Sequence, residues 1–306
     1  MNEPLVSIII PTFKRNNLLD KTLNSVINQN YNNYEIIVVD DNNPNTEYRK
    51  MTENLMEKYK NNSKIKYIKH CQNLNGSAAR NTGIKFSNGK YICFLDDDDI
   101  IYKDKIKEQV KFLEKNKNYN AVYCERKVGQ YIHSPKIEGD LSFSLLSGEH
   151  IVVTIMLMFR YNSIKNIKWN TKLKRNQEAA FLLEFFDAGN KIGKLEKVLC
   201  ETNLMDRSNS LCAKKNDYEI IKYLQEYQYI IDKLLINDKS AKKKIYCHRY
   251  LGILLCYLKE KRILSSVITF GKGFIKSPMI FLSYTLNYIY YRSQNIKKDY
   301  ILEKKC

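Results

Sequence analysis

The first half of the chain alternates continuous apolar runs with segments whose apolar residues recur at helical spacing. Val6-Ser7-Ile8-Ile9-Ile10 is a β-branched run stopped by Pro11, which predicts a buried strand. Leu18, Leu19, Leu23, Val26 and Ile27 then repeat with helical period. Glu35–Val39 predicts a second buried strand, ended by Asp40-Asp41-Asn42-Asn43-Pro44, and Tyr48, Met51, Leu55 and Tyr59 form a helix face. Ile65–Ile68 is a short third strand. Ala78–Phe86 reads as a helix entered from the polar turn Asn73–Ser77. Tyr91–Leu95 is a fourth strand, Ile106, Val110 and Leu113 mark the next helix, and Ala121–Cys124 is a fifth strand.

Past Lys127 the alternation weakens. Gly129–Gly148 is polar and loop-like, and Val152–Phe159 is compatible with either a strand or a buried helix. Glu178–Ala188, with Phe181, Leu182, Phe185 and Phe186, predicts a helix stopped by Gly189. From Asp217 the pattern is helical and rich in Tyr and Lys, which places a domain boundary near Cys212–Lys215: an α/β domain over residues 1–214 and a basic helical region over 215–306.

Strand–helix alternation with continuously apolar strands predicts a mostly parallel sheet covered by helices on both faces. Ligands of such sheets bind beyond the carboxyl ends of the strands. Three polar clusters fall at those ends: Pro11–Arg15, Asp40-Asp41-Asn42 and Asp96-Asp97-Asp98-Asp99. The last is the most pointed. Four carboxylates repel one another, and a helix N-terminus or a solvated turn accounts for one or two of them. A divalent cation with oxygen ligands makes the arrangement favourable, and a cation held there can hold a diphosphate. The pair Asp40-Asp41 suits a turn before Pro44 and equally suits hydrogen bonding to a base or ribose. Arg80, which with Asn81 opens the neighbouring helix, reads by itself as a surface residue, and near a diphosphate it would be a charge partner.

Charge adds a second theme. Net charge is +18 over 306 residues, a balance that favours anionic partners. From Lys215 onward there are 18 Lys+Arg against 8 Asp+Glu, a net +10 in the last third. Nucleic acid is not expected as a partner, because four Asp at the expected ligand crevice repel phosphate unless a metal intervenes. The eight cysteines form no CxxC pair and no zinc-type spacing. They read as reduced, mostly buried thiols in a cytoplasmic setting. Neither a secretory leader nor a run of about 20 apolar residues is expected to place the chain across a membrane.

Four segments carry a family resemblance: Val6–Arg15 (VSIIIPTFKR), Ile36–Asn43 (IIVVDDNN), Asn75–Gly89 (NGSAARNTGIKFSNG) and Tyr91–Asp99 (YICFLDDDD). Their order and spacing resemble the family 2 glycosyltransferases with a GT-A fold, of the type that builds bacterial cell-surface polysaccharides. A weaker match runs through Thr154–Asn209. The resemblance implies an inverting sugar transfer from a nucleotide-sugar, usually UDP-linked, with Mn²⁺ or Mg²⁺, to a saccharide or lipid-linked saccharide acceptor. It also implies that Pro11, Thr12 and Asp41 line the uridine pocket, with Asp40 and Arg80 nearby. Asp96 and Asp98 would form the DxD metal motif, Asp98 being the direct ligand and Asp97 facing the ribose. Glu178, in Arg175-Asn176-Gln177-Glu178, would be the general base, with Glu184 the fallback. This chain departs from the common pattern in following Glu178 with Ala179-Ala180. Arg207, in Asp206–Ser210, would add positive charge over the diphosphate.

The Lys- and Tyr-rich C-terminal region is read either as an ordinary helical appendage with solvated lysines or as a peripheral contact with an anionic membrane, such as the inner face of the cell membrane, with Ser277–Tyr291 as the contact. Two other readings of the whole chain are a basic nucleic-acid-binding protein and a non-catalytic relative that binds nucleotide-sugars. A sugar nucleotidyltransferase fits poorly, because Pro11–Arg15 lacks that class's glycines.

Overall fold

The computed structural model describes residues 3–147, 152–174, 176–202, 226–227, 229, 232–233, 239–259, 261–283 and 285–286. The chain falls into two compact units, Met1–Ser142 with His150–Ala213, and Phe143–Glu149 with Lys214–Cys306. The boundary expected near Cys212–Lys215 lies outside the described residues.

The first unit is built on a mixed, mostly parallel sheet. Its strands are β1 (Val6–Thr12), β2 (Tyr34–Asp40), β3 (Ile65–Lys69), β4 (Tyr91–Phe94), β5 (Ile100–Ile101), β6 (Ala121–Val128), β7 (Tyr131–His133), β8 (Leu157–Arg160) and β9 (Ile192–Thr202). They run in the order β3-β2-β1-β4-β8-β6-β9-β5, with β7 hydrogen-bonded to β6. β3, β2, β1 and β4 are parallel neighbours, with Thr12 opposite Asp40 and Ile9 opposite Phe94. Their carboxyl ends therefore finish side by side. Ser7, Ile8, Ile9 and Ile10 are all buried, so both faces of β1 are covered, as continuous apolar strands require.

Helices α1 (Asn16–Ile27), α2 (Glu47–Glu57), α3 (Gly76–Phe86) and α4 (Lys105–Lys115) follow the strands. Local chemistry sets their starts. The Thr46 hydroxyl accepts from Arg49 N at 3.3 Å, capping α2. Asn75, at φ +80°, accepts from Ser77 N and Ala78 N at 3.0 and 3.3 Å, capping α3. α3 lies close on β1 because Gly83 has no side chain: a Cβ there would sit 2.2 Å from Ile9 Cγ2.

The less regular part departs from the sequence reading in three ways. Gly129–Gly148 is not all loop, since it contains β7 and the helix α5 (Ser142–Ser147). Val152–Phe159 is neither a uniform strand nor a helix: a 3₁₀ turn at Thr154–Met156 leads into β8. β5 and the long β9 escape the pattern altogether. After the four-residue helix α6 (Tyr161–Ile164), α7 (Gln177–Asp187) begins at Asn176 in the left-handed region and is followed by Gly189 at φ +79°. An aromatic cluster fixes α7 to the sheet. Trp169 stacks on Phe181 at 4.5 Å, and Phe94 of β4 meets both edge-on at 5.1 and 5.9 Å.

The second unit contains helices α8 (Lys239–Lys259) and α9 (Ile263–Lys276), which pack together around Cys247, Leu251, Leu254 and Phe281. Arg249 of α8 donates to the Leu145 carbonyl at 3.0 Å. Among the described residues no helix is long and apolar enough to cross a membrane.

Candidate active site

The ends of β1, β2 and β4 open into a cavity of about 490 Å³. Pro11, Thr12, Phe13, Arg15, Asp41, Arg80, Asp96 and Asp97 contribute to its wall, and Asn73, Lys174 and Gln177 close it from loops and from α7. Most of the residues singled out in the sequence therefore meet at one place, although they are up to 86 positions apart (Pro11 and Asp97).

The acidic cluster divides by direction at a turn closed by Asp99 N donating to the Asp96 carbonyl at 3.1 Å. Asp97 turns inward. It accepts from the Thr12 hydroxyl at 2.7 Å and from Phe13 N at 3.3 Å, and Arg15 Nη1 lies 3.6 Å from its other oxygen. Burial pushes its carboxyl up to about 7, against the lowering effect of the Thr12 hydrogen bond and the Arg15 charge. Asp96 and Asp98 face outward, their side chains 36% and 18% exposed. Each meets an arginine: Arg80 Nη2 donates to Asp96 Oδ1 at 2.6 Å, and Arg15 Nη1 pairs with Asp98. Asp99 is buried, and its carbonyl accepts from the Thr22 hydroxyl at 2.9 Å.

Asp40 and Asp41 point opposite ways. Asp41 lines the cavity and spends both oxygens on the loop beside it. Oδ1 accepts from Leu74 N and contacts His70 Nδ1, both at 2.8 Å; Oδ2 accepts from Asn73 Nδ2 at 2.7 Å and Asn75 N at 2.8 Å. Asp40 does not reach the cavity. It is fully buried on Arg49 Nε at 3.0 Å, the Tyr67 hydroxyl at 2.5 Å and Asn42 N at 2.9 Å. Arg49 also donates to the carbonyls of Asn42 and His70, so this pair ties β2 to the end of β3.

Arg80 is the other organising charge. It is 8% exposed, and its guanidinium lies 4.7 Å over the Trp169 ring. Nη1 is 3.4 Å from Gln177 Oε1, and its buried Nε has no hydrogen-bond partner among the described residues. Gln177 is in turn held by the Leu173 carbonyl at 2.8 Å. Glu178 follows it, and its Oε1 accepts from Thr154 N at 2.8 Å and from the Thr154 hydroxyl at 2.5 Å. Glu184 stands further along α7. Arg207 lies outside the described residues, as does Arg175.

The donor set suits a hard cation: outward carboxylates spaced one residue apart, with oxygen ligands only. Among the described residues no three His, Cys, Asp or Glu side chains gather as a ready-made metal cage. An ion held by Asp96 and Asp98 would thus take its remaining ligands from water or from phosphate, a coordination typical of Mg²⁺. The unpartnered Nε of Arg80 fits an anionic group arriving at the same wall.

Sequence reasoning missed Asn73, Lys174, Gln177 and Thr154. Gln177 stands in the segment already singled out for Glu178; the others sit in loops or a 3₁₀ turn and carry no local signal.

A mostly parallel sheet with a polar crevice at its strand ends defines an α/β protein of the kind that binds its ligand there. Residues 7–186 match the model of the glycosyl transferase family 2, more than half of the sequence, and the chain belongs to that family. It is 31% identical over 231 residues to an uncharacterized glycosyltransferase of Rickettsia conorii, a match that covers 72% of this chain and 36% of the relative. The chain thus spans about a third of that relative's length. It is 28% identical over 274 residues to the poly(ribitol-phosphate) β-N-acetylglucosaminyltransferase TarP of Staphylococcus aureus, covering 85% of this chain and 82% of TarP. Among solved structures, S. aureus TarS residues 1–349 in complex with UDP-GlcNAc superposes with a TM-score of 0.60 at 16% identity, covering 92% of each chain. The mannosyltransferase PcManGT of Pyrobaculum calidifontis, in complex with GDP-Man and Mn²⁺, gives 0.59 at 15% identity over 99% of this chain and 86% of its own. These likenesses carry the GT-A-like fold.

Proposed function

We propose that this protein transfers a sugar from a UDP-sugar to a hydroxyl of a saccharide or lipid-linked saccharide, with inversion, during synthesis of a surface polysaccharide. The carrying observation is the cavity at the ends of β1, β2 and β4, whose wall carries Asp96, Arg15 and Arg80, with Asp98 tied to it through its pairing with Arg15. That alternation of charge suits a diphosphate bridged to a divalent ion. Mn²⁺ or Mg²⁺ on Asp98, with Asp96 beside it, would offset the negative charge that grows on the leaving diphosphate. Family membership supports the reaction class, UDP-GlcNAc in TarS supports the donor, and GDP-Man with Mn²⁺ in PcManGT supports the metal.

The chain's own residues then divide the work. Pro11, Thr12 and Asp41 shape the nucleoside wall, and Asp97 holds Thr12 in place from below. Asp40 is assigned no ligand contact, because Arg49 and Tyr67 take its carboxylate. Arg80 meets the diphosphate, and Arg207 adds charge to it. Glu178 takes the proton from the acceptor hydroxyl as that oxygen attacks the anomeric carbon. Thr154 N and Oγ1 hold one carboxylate oxygen, which aims the other. A single displacement needs no covalent intermediate and inverts the centre. The net charge of +18 suits an anionic acceptor such as a polyol-phosphate polymer or a lipid diphosphate.

The test is a panel of UDP-, GDP- and TDP-sugars with Mn²⁺, scored by calorimetric binding and slow donor hydrolysis. Binding of a UDP-sugar that EDTA abolishes and Asp98→Ala removes is expected. Failure to bind any nucleotide-sugar would overturn the reading.

A further inference from the structure

The helix α9 is inside out. Its small residues Ser266, Thr269 and Gly273 are buried, Gly273 so tightly that a Cβ would meet the Phe281 ring at 2.4 Å. Its large apolar residues face outward. Ile263, Leu264 and Ile275 are 75, 74 and 82% exposed, and Val267, Ile268, Phe270 and Phe274 are exposed beside them. At 100° per residue these positions share one side of the helix, covering roughly 160° of arc. A water-facing helix normally shows the opposite arrangement. Met279 continues the apolar surface beyond the end of the helix.

Charge identifies what covers this face. Lys272 and Lys276 border it, Lys261 and Arg262 precede it, and the sequence from Lys261 to Lys298 contains no Asp or Glu. A second copy of the same face would bring these cations against their equals. A surface that combines negative charge with an apolar interior satisfies both features at once. We infer that α9 lies in the interface of an anionic lipid bilayer, its isoleucines, valine and phenylalanines at the acyl boundary and its lysines on headgroup phosphates. This extends the contact upstream of Ser277–Tyr291, within which Met279 and Leu286 are exposed and Phe281 points into the unit's own core; residues 284 and 287–291 lie outside the described residues.

Flotation of the full chain with vesicles tests this, comparing pure phosphatidylcholine with mixtures containing phosphatidylglycerol. Binding to the anionic vesicles only, weakened by salt, is expected. Lys272→Gln/Lys276→Gln should lower partitioning on the order of 10-fold, and Ile263→Gln/Val267→Gln/Ile275→Gln on the order of 100-fold. All five positions are exposed, so the far-UV spectrum and thermal midpoint should hold, and so should UDP binding in solution, which reports the other unit. Indifference of the wild type to lipid charge would overturn the inference, as would unchanged flotation of both variants. A lipid-free dimer that the triple substitution turns into a monomer would also overturn it, by showing that a second copy covers the face.

Discussion

Replacing Gly83 by alanine sets two known magnitudes against each other. Gly83 lies in the last turns of α3, where alanine improves helix propensity by about 1 kcal/mol. The new Cβ would lie 2.2 Å from Ile9 Cγ2, 3.0 Å from Cγ1 and 3.1 Å from Cβ. Carbon atoms rest about 3.5–4.0 Å apart, so the closest pair overlaps by more than roughly 1 Å. Ile9 has little room to yield: it is fully buried in β1 between β2 and β4, and its χ1 is stiff. Overpacking of this kind costs typically about 1–3 kcal/mol, and more when backbone must move. An overlap this deep belongs to the upper part of that range, about 2–3 kcal/mol, so it outweighs the propensity gain and leaves a net loss of about 1–2 kcal/mol. For a unit of this size that lowers the thermal midpoint by roughly 2–8 °C. The easiest relief is a small outward shift of α3, which would lengthen the 2.6 Å Arg80–Asp96 pair and weaken UDP binding. Calorimetric melting and UDP titration read the two effects. Ile9→Ala removes both γ carbons, so in a double-mutant cycle the Gly83→Ala penalty should shrink by at least 1 kcal/mol or so. A Gly83→Ala midpoint at or above wild type, or strict additivity with Ile9→Ala, would refute the close-packing argument.

Three further outcomes are expected. Glu178→Gln should bind the UDP-sugar as the wild type does and lose transfer by about 10²–10⁴-fold; full turnover would remove Glu178 from its role. Asp98→Asn should lose the extra thermal stabilisation that Mn²⁺ gives to the UDP complex while keeping its ligand-free midpoint within a few degrees, and an undiminished Mn²⁺ effect would contradict the metal assignment. Glu35 is subject to burial, which raises a carboxyl, but hydrogen bonds from Lys66, Ser7 and Asn88 N bring it below its usual value. Its contribution is then present above the ordinary carboxylate range and fades as pH falls through the lowered value, so Glu35→Gln should flatten the acid limb of a urea-midpoint profile.

The sheet's centre was legible because β1, β2 and β4 carry the apolar runs Ile8–Ile10, Ile36–Val39 and Tyr91–Phe94, although β1 continues through Pro11 to Thr12. β5 and β7, with two and three residues, are too short to show any period. β9 was hidden by Lys194, Glu196 and Lys197, and its pairing with β6 shifts register after Cys124. At the site, the four-Asp run located the crevice, but which carboxylates face it depends on the turn that Asp96–Asp99 make. At the end of β2 Asp41 faces the cavity while Asp40 is buried on Arg49, a difference invisible in two identical letters. The Thr154–Glu178 contact joins a 3₁₀ turn to a helix 24 residues on, and nothing local announces it.

Under the proposed function, Asp41 has a practical consequence for anyone wishing to alter the donor's base. Its carboxylate works as a staple, fastening a stretch some thirty positions downstream to the rim of the sheet. Exchanging it would release that stretch before it changed any preference. Re-engineering is better begun at Asn73 and Lys14, whose side chains border the opening while their removal leaves the staple's two backbone clasps, at Leu74 and Asn75, in place.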